Sequence, residues 1–134
     1  MAIGKAIYNI LSNDSAVSNS VGDRIFPNRI QIDNRMPCIV YQVVTTQPSN
    51  TKNSKSNLDV ISVDITAFGE TYDKTNRLAS DIRRAMDYQF TDTTQSGIKI
   101  QHISFQGLSD EYDESFGDHG IHYIVMEFEI RQQL

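Results

Sequence analysis

The stretch LDVISVDITAF (Leu58 to Phe68) alternates apolar and polar side chains, and this pattern decides the fold. Successive side chains of a β-strand point to opposite faces, so the alternation predicts a strand with one face on a core and one face towards solvent. The apolar positions are Ile61, Val63, Ile65 and Ala67, and the polar positions are Ser62, Asp64 and Thr66.

A second predicted strand, CIVYQVVT (Cys38 to Thr45), precedes this one, and the polar segment QPSNTKNSKSN (residues 47–57) separates the two. Apolar residues on both faces of the first strand predict a central strand that is buried on both sides. Two consecutive strands with one connection predict an antiparallel hairpin whose tip is the polar segment. That tip carries Lys52 and Lys55 without any acid, and it exceeds the roughly two to five residues of a normal hairpin loop.

The segment that follows predicts the longest helix of the chain, from a capping Thr71 to about Tyr88. Asp73 in its first turn and Arg83 and Arg84 in its last turn match the helix dipole. One face is apolar at helical spacing. The apolar stripe consists of Leu78, Ala79, Ile82, Ala85 and Met86.

The N-terminal part of the chain predicts a short amphipathic helix, with apolar residues at helical spacing between Ile3 and Leu11. Asp14 can cap a second helical turn, residues 15–20, which Gly22 ends. The segment RIFP (Arg24 to Pro27) then returns the chain to the core, and its proline ends regular structure.

The C-terminal part predicts two more strands. GIKIQHISFQGL (Gly97 to Leu108) changes its alternation phase in the middle, which indicates a β-bulge near Gln101 and His102. IHYIVMEFEI (Ile121 to Ile130) alternates without interruption. The connection between them, residues 109–120, has five acids and no base and is predicted to be a solvent-exposed acidic hairpin tip.

These elements predict a single α+β domain over residues 1–134. It is a mainly antiparallel four-stranded sheet packed against one long helix and a short N-terminal helix, in the order α-β-β-α-β-β. The long helix is expected to cover one face of this sheet. That face carries Ile61, Ile65, Ile124 and Phe128.

The composition excludes several classes of protein. A net charge of −5 and a pI near 5.0 argue against sequence-independent nucleic-acid binding through a basic face. No segment fits a secretory signal or the roughly twenty apolar residues of a membrane span. The expected location is therefore the cytoplasm or a particle assembled there.

No residue pattern supports catalysis, a cofactor or a metal. The glycine-rich phosphate motifs and the hydrolase motifs are absent from the sequence. Asp118, His119 and His122 lack a second ligand cluster that would complete a zinc shell, and the acidic run lacks the residue order of a calcium loop. Cys38, the single cysteine, is predicted to be a buried structural thiol.

Short motifs along the chain resemble the tail-completion family of long-tailed bacteriophages, which includes tail terminators and tail-to-head joining proteins. They are VGDRIFP (Val21 to Pro27), MPCIVYQ (Met36 to Gln42), DITAFG (Asp64 to Gly69) and LASDIRRAM (Leu78 to Met86). The resemblance implies a non-enzymatic virion protein that forms a ring, by family habit a hexamer, at the end of the tail tube. There it would stop tube growth and join the tail to the head, with Phe26 and Tyr41 as core aromatics and Arg24 in an ion pair.

The implied partners are further copies of the chain, the tail tube protein and a head-completion protein, with genomic DNA passing through without specific binding. The chain would be made in the host cytoplasm and end at the head–tail joint of the virion, with no membrane partner. Two alternatives remain open: a head-completion or connector protein on the portal side, and a small non-enzymatic ligand-binding domain. An enzyme ranks third.

Two charged segments are expected to make assembly contacts, because they carry opposite charge. The 47–57 segment is expected to be a docking arm, and the isolated protein is expected to be a monomer because its subunits repel. The acidic segment is expected either to face DNA in the channel or to contact a basic neighbour. The candidate residues are Lys52, Lys55, Asp110, Glu111, Asp113 and Glu114.

Overall fold

The computed structural model describes residues 2–29, 36–48, 58–87, 93–95, 97–115 and 120–133. Three helices and six strands follow one another along these residues. They are α1 (Ala2–Asn13), α2 (Ser15–Val21), β1 (Ile25–Pro27), β2 (Cys38–Pro48), β3 (Leu58–Gly69), α3 (Tyr72–Met86), β4 (Thr93–Gln95), β5 (Ile98–Asp113) and β6 (Ile121–Gln133).

The six strands form one sheet in the order β1-β2-β3-β6-β5-β4. All neighbours are antiparallel except β1 and β2, which are parallel. The predicted four-stranded sheet is correct for the four central strands. It has two strands too few, because β1 and β4 add one strand at each edge. Each added strand has three residues, which is too short to show a periodic pattern, and β1 ends on a proline that was expected to end regular structure.

The N-terminal helices pair with each other and with α3 on one face of the sheet. The carboxylate of Asp14 caps α2 by accepting hydrogen bonds from the backbone N–H groups of Ala16 and Val17, both at 3.1 Å. Gly22 follows the helix with a φ of 60°, a conformation that favours glycine. The predicted capped turn is thus confirmed and is a full helix of seven residues.

Helix α3 confirms the predicted long amphipathic helix and ends at Met86. Its cap is Thr71, whose hydroxyl accepts a hydrogen bond from the N–H of Lys74 at 3.3 Å. The helix packs over β3 and β6, so its apolar stripe and the inward face of the sheet form one core. The buried residues of the helix are Thr75, Leu78, Ala79, Ile82, Ala85 and Met86.

Strand β2 is buried on both sides only at Cys38–Val40, whereas burial on both sides was predicted as far as Thr45. Strand β1 pairs with the outer edge of β2 only as far as Tyr41. The register shifts between Val43 and Thr45, so Val44 bulges and is 50% exposed.

Strands β3 and β6 show the predicted alternation of buried and more exposed residues. Strand β5 has the predicted bulge, with a register shift between Ile100 and His102, and a second shift between Phe105 and Gly107 that the sequence pattern did not reveal. It also continues to Asp113, five residues beyond its predicted end at Leu108.

The motif residues expected in the core or in an ion pair have different surroundings. Phe26 and Tyr41 are half-buried, and Tyr41 packs against the edge of the core. Arg24 donates from Nε to the carbonyl oxygen of Pro37 at 2.9 Å and from Nη2 to that of Ser20 at 3.2 Å. Arg24 therefore ties α2 to the start of β2 through backbone oxygens.

Candidate assembly surfaces

The predicted acidic contact residues lie mainly on a strand. Asp110, Glu111 and Asp113 belong to the last part of β5, Glu114 follows in the turn, and all four are exposed. Asp110 pairs with Ile124 of β6, and Glu111 pairs with Tyr123, so the two carboxylates point to opposite faces of the sheet. The three acids of β5 are therefore divided between two faces, with Asp110 on one and Glu111 and Asp113 on the other.

Asp113 has a local structural role as well. Its carboxylate accepts hydrogen bonds from the backbone N–H of Ser115 at 2.9 Å and from the Ser115 hydroxyl at 2.7 Å. These hydrogen bonds lower the pKa of Asp113 and so favour its charged form at the end of β5. Lys52 and Lys55, like Asp118 and His119, lie outside the described residues.

The sheet face away from the helices, called here the open face, carries most of the carboxylates of its central strands. Asp64 pairs directly with Glu127 across β3 and β6. Burial, and then the like charge of Glu127, raise the pKa of Asp64. Residues that lie opposite each other on neighbouring strands form a row across the sheet and point to the same face. This pairing places five carboxylates of β3, β5 and β6 on the open face: Asp64, Glu111, Asp113, Glu127 and Glu129.

The open face is not polar throughout. Near the start of β6 the rings of Phe68 and Tyr123 stack with their centroids 5.5 Å apart, and both side chains are half-buried. Glu129 is accompanied by Arg131, with Oε1 and Nε 3.2 Å apart.

A cluster of aromatic side chains lies on the helix side of the β5–β6 hairpin. The ring of His122 lies between Tyr112, with centroids 4.7 Å apart, and Tyr72, with centroids 6.0 Å apart. Tyr72 is 54% exposed and Tyr112 48%. Leu108, which is 54% exposed, lies four residues before Tyr112 on the same side of β5. Large apolar side chains so exposed are typical of contact surfaces when they lie close together. The sequence offered one sign of this surface, the Tyr112 side chain within an otherwise polar run.

A groove of about 500 Å³ lies at the opposite edge of the sheet, between α1 and the outer side of β2. We call it the edge groove. Burial, and then the neighbouring phenol of Tyr8, raise the pKa of Tyr41. The residues that line it are Gly4, Lys5, Tyr8, Pro27, Asn28, Tyr41 and Val43.

Gly4 of α1 lines the edge groove. A Cβ atom at this position would lie 3.4 Å from Cε2 of Tyr41, in the space between α1 and β2. Glycine inside a helix costs about 0.5–1 kcal/mol relative to alanine. The groove itself was not predicted, because it depends on where α1 lies over β2.

The described residues contain no group of three or more potential metal ligands. Cys38 is buried, as predicted, and burial raises the pKa of its thiol to about 11, so the group stays protonated near neutral pH. None of the described helices has the length and apolar character needed to span a membrane.

Comparisons with known proteins identify relatives of this arrangement. The family described as "Tail completion protein gp17" matches residues 5–133. A solved chain from the "virion of native gene transfer agent (GTA) particle" has the same fold, with a TM-score of 0.68 and 12% sequence identity. The match covers 96% of this chain and 92% of that one. No curated protein sequence matches the chain.

Proposed function

The chain belongs to the tail completion protein gp17 family of bacteriophage virion tail proteins, and from this premise we propose that it forms a ring that closes the tail tube and joins the tail to the head. The observation that carries the proposal is the family match over residues 5–133, which includes every strand of the sheet. Growth of a tube made of stacked rings stops when its last ring offers no surface for another. The proposed role is structural, with no catalytic step.

The ring has six copies in this proposal and encloses the channel through which DNA passes. We assign the open face to the channel, because the carboxylates of β3, β5 and β6 gather on that face. DNA carries dense negative charge, so a wall of like charge keeps the passing duplex from binding. The helices then lie on the outside of the ring.

Two further partners complete the proposed joint. The tail tube protein contacts one end of the ring, and a head-completion protein contacts the other. A net charge of −5 on each copy opposes association in dilute solution, so the isolated chain is a monomer and the ring forms on the tail. Gln47 and Pro48, expected to belong to the hairpin tip, are paired residues of β2. The rest of the 47–57 segment, with Lys52 and Lys55, serves as a docking arm towards an acidic surface of a neighbour.

Deletion of the encoding gene from the phage tests this function and separates it from a role on the portal side. Loss of a tail terminator yields tail tubes of uncontrolled length together with unattached, DNA-filled heads. Loss of a portal-side protein instead yields tails of normal length, and heads that fail to keep or connect their DNA. Electron micrographs of the lysate show which set of particles accumulates, and restoring the gene on a plasmid serves as the control.

A further inference from the structure

The two edges of the sheet have stepped outlines that match each other. At one edge β1 covers only the Ile39–Tyr41 part of β2, and at the other edge β4 covers only the Ile98–Ile100 part of β5. These covered parts lie at opposite ends of the sheet, because Pro48, at the far end of β2, is in the row of Ile100. Among the described strands, none pairs with the outer side of β5 at Gly107–Glu111.

Strand β1 at one edge and the uncovered part of β5 at the other edge lie at the same height along the strand direction. One row of the sheet runs from Pro27 through Tyr41, Ile65 and Met126 to Leu108. Rotation about an axis along the strands keeps this height, so it brings Pro27 of one copy next to Leu108 of another. Strand β1 runs opposite to β5, which is the direction required for antiparallel pairing.

Leu108 also points towards the correct side for such a contact. It shares a row with Met126, which is buried on the helix side, and residues opposite each other on paired strands point to the same face. The edge groove opens at that height, with Pro27 and Tyr41 in its lining. Leu108 is 54% exposed and projects from one edge of the sheet. It lies at the height of the edge groove at the other edge and points to the same side of the sheet.

The charges of the two edges are complementary as well. Asp110 follows Leu108 on the same face of β5 and places a carboxylate on the side where the edge groove opens. The edge groove has Lys5 in its lining, and residues 36–48 of the adjacent β2 region contain no charged side chain. A second copy of this chain thus meets opposite charge at this edge instead of the repulsion that its net charge would give.

We propose that neighbouring copies join head to tail at these edges, with Leu108 of one copy seated in the edge groove of the next and β5 aligned along β1. An uncovered strand edge is a ready site for addition of another strand, and a contact between two different patches repeats until the ring closes. This inference rests on the proposed ring and names the surfaces that hold it together.

The test uses cysteine cross-linking, for which the chain is well suited because its single native thiol is buried. Lys5→Cys and Leu108→Cys place thiols at exposed positions on the two edges. The two single variants are co-expressed in cells infected with the phage that lacks the gene. Particles and free tails are then purified and treated with a short bis-maleimide. The control pair combines Leu108→Cys with Arg77→Cys, which is exposed on α3.

The proposal predicts a covalent dimer only when both edge variants are present, and a ladder up to the ring size from the double variant. A dimer from Leu108→Cys alone overturns it, because that result requires two like edges to meet. If the variants are incorporated into tails but no cross-link forms, the proposed edge contact is wrong, and the proposed ring is not contradicted. Absence of the wild-type chain from tails contradicts the proposed function itself, so the two failures are distinguishable.

Discussion

Arg84 and Asp14, 70 residues apart in the sequence, form two hydrogen bonds between guanidinium and carboxylate, at 3.0 and 3.1 Å. The same carboxylate caps α2, so one side chain ends a helix and ties it to α3. Asp14 is 15% exposed and Arg84 51%, so solvent weakens the ion pair more than the cap.

We expect Asp14→Ala to lower the free energy of unfolding by about 0.5–2 kcal/mol, because the variant loses the helix cap. Asp14→Asn keeps a good capping residue and loses the charge, so its cost should stay within about 1 kcal/mol. Urea denaturation of both variants and of Arg84→Ala measures these costs. Equal costs for the alanine and asparagine variants would show that the cap contributes nothing.

The pH dependence of stability gives a second test of the same residue. Burial by itself would raise the pKa of Asp14, but the hydrogen bonds from Arg84 and from the N–H of Val17 outweigh it, and the pKa lies below its usual 3.8. A lowered pKa stabilises the fold above the unfolded value, and this stabilisation is lost as the pH falls through the folded value. The stability difference between wild type and Asp14→Asn should therefore shrink between about pH 5 and about pH 2. A constant difference over this range would contradict the assignment.

The core between α3 and the sheet predicts large losses on truncation. Ile82 and Phe128 are each at most 1% exposed, and Phe128 also meets the ring of Phe105 with centroids 5.6 Å apart. We expect Ile82→Ala to cost about 2–5 kcal/mol and Phe128→Ala about 3–5 kcal/mol. Ser80→Ala on the exposed side of α3 is the control and should change stability by less than about 0.5 kcal/mol. Losses below about 1 kcal/mol at both core sites would exclude this packing.

Helix α3 and strands β3 and β6 could be predicted because each presents one apolar face with the period of its own element. The outer strands could not, because three residues show no period and Pro27 argued against a strand. The sequence predicted the acidic residues as one segment at a hairpin tip. Their division between two faces follows from the pairing of β5 with β6 as far as Asp113, which the sequence did not predict.

The edge groove and the row that joins Pro27 to Leu108 depend on the register of distant strands. Bulges set that register, and only the bulge near Gln101 left a phase change in the sequence; the shift after Phe105 did not. A groove between α1 and β2 likewise has no local sequence pattern, apart from a glycine on an otherwise regular helix.

The proposed docking arm predicts a separation of stability from assembly. β2 and β3 are in register with Pro48 opposite Asp59, so replacing residues 50–57 by Asn-Gly creates a two-residue hairpin turn on that register. We expect the shortened chain to fold with nearly unchanged melting temperature and to fail in particle assembly. A matched variant in which only Lys52 and Lys55 become serine tests the contribution of charge. Normal titres from the shortened chain would show that the arm has no role.

The division of the acids between two faces predicts two different defects. Glu111→Lys changes the open face, and we expect particles that assemble but eject DNA more slowly, because the channel wall then repels the duplex less. Asp110→Lys changes the helix side of the same strand, at the proposed contact between copies, and should reduce ring formation and with it the joining of heads to tails. Ejection kinetics and the ratio of free tails to complete particles distinguish these effects. The opposite assignment of the two defects would contradict the proposed orientation of the sheet.

The most direct test of the proposed role is to add the purified chain to phage tails that lack their terminator and to image them by electron microscopy. The proposal predicts a ring of density at the head-proximal end of each tail tube, an end to further tube growth, and tails that now join added heads. Tail ends that stay bare at saturating protein, or protein bound to the portal of heads instead, would contradict it.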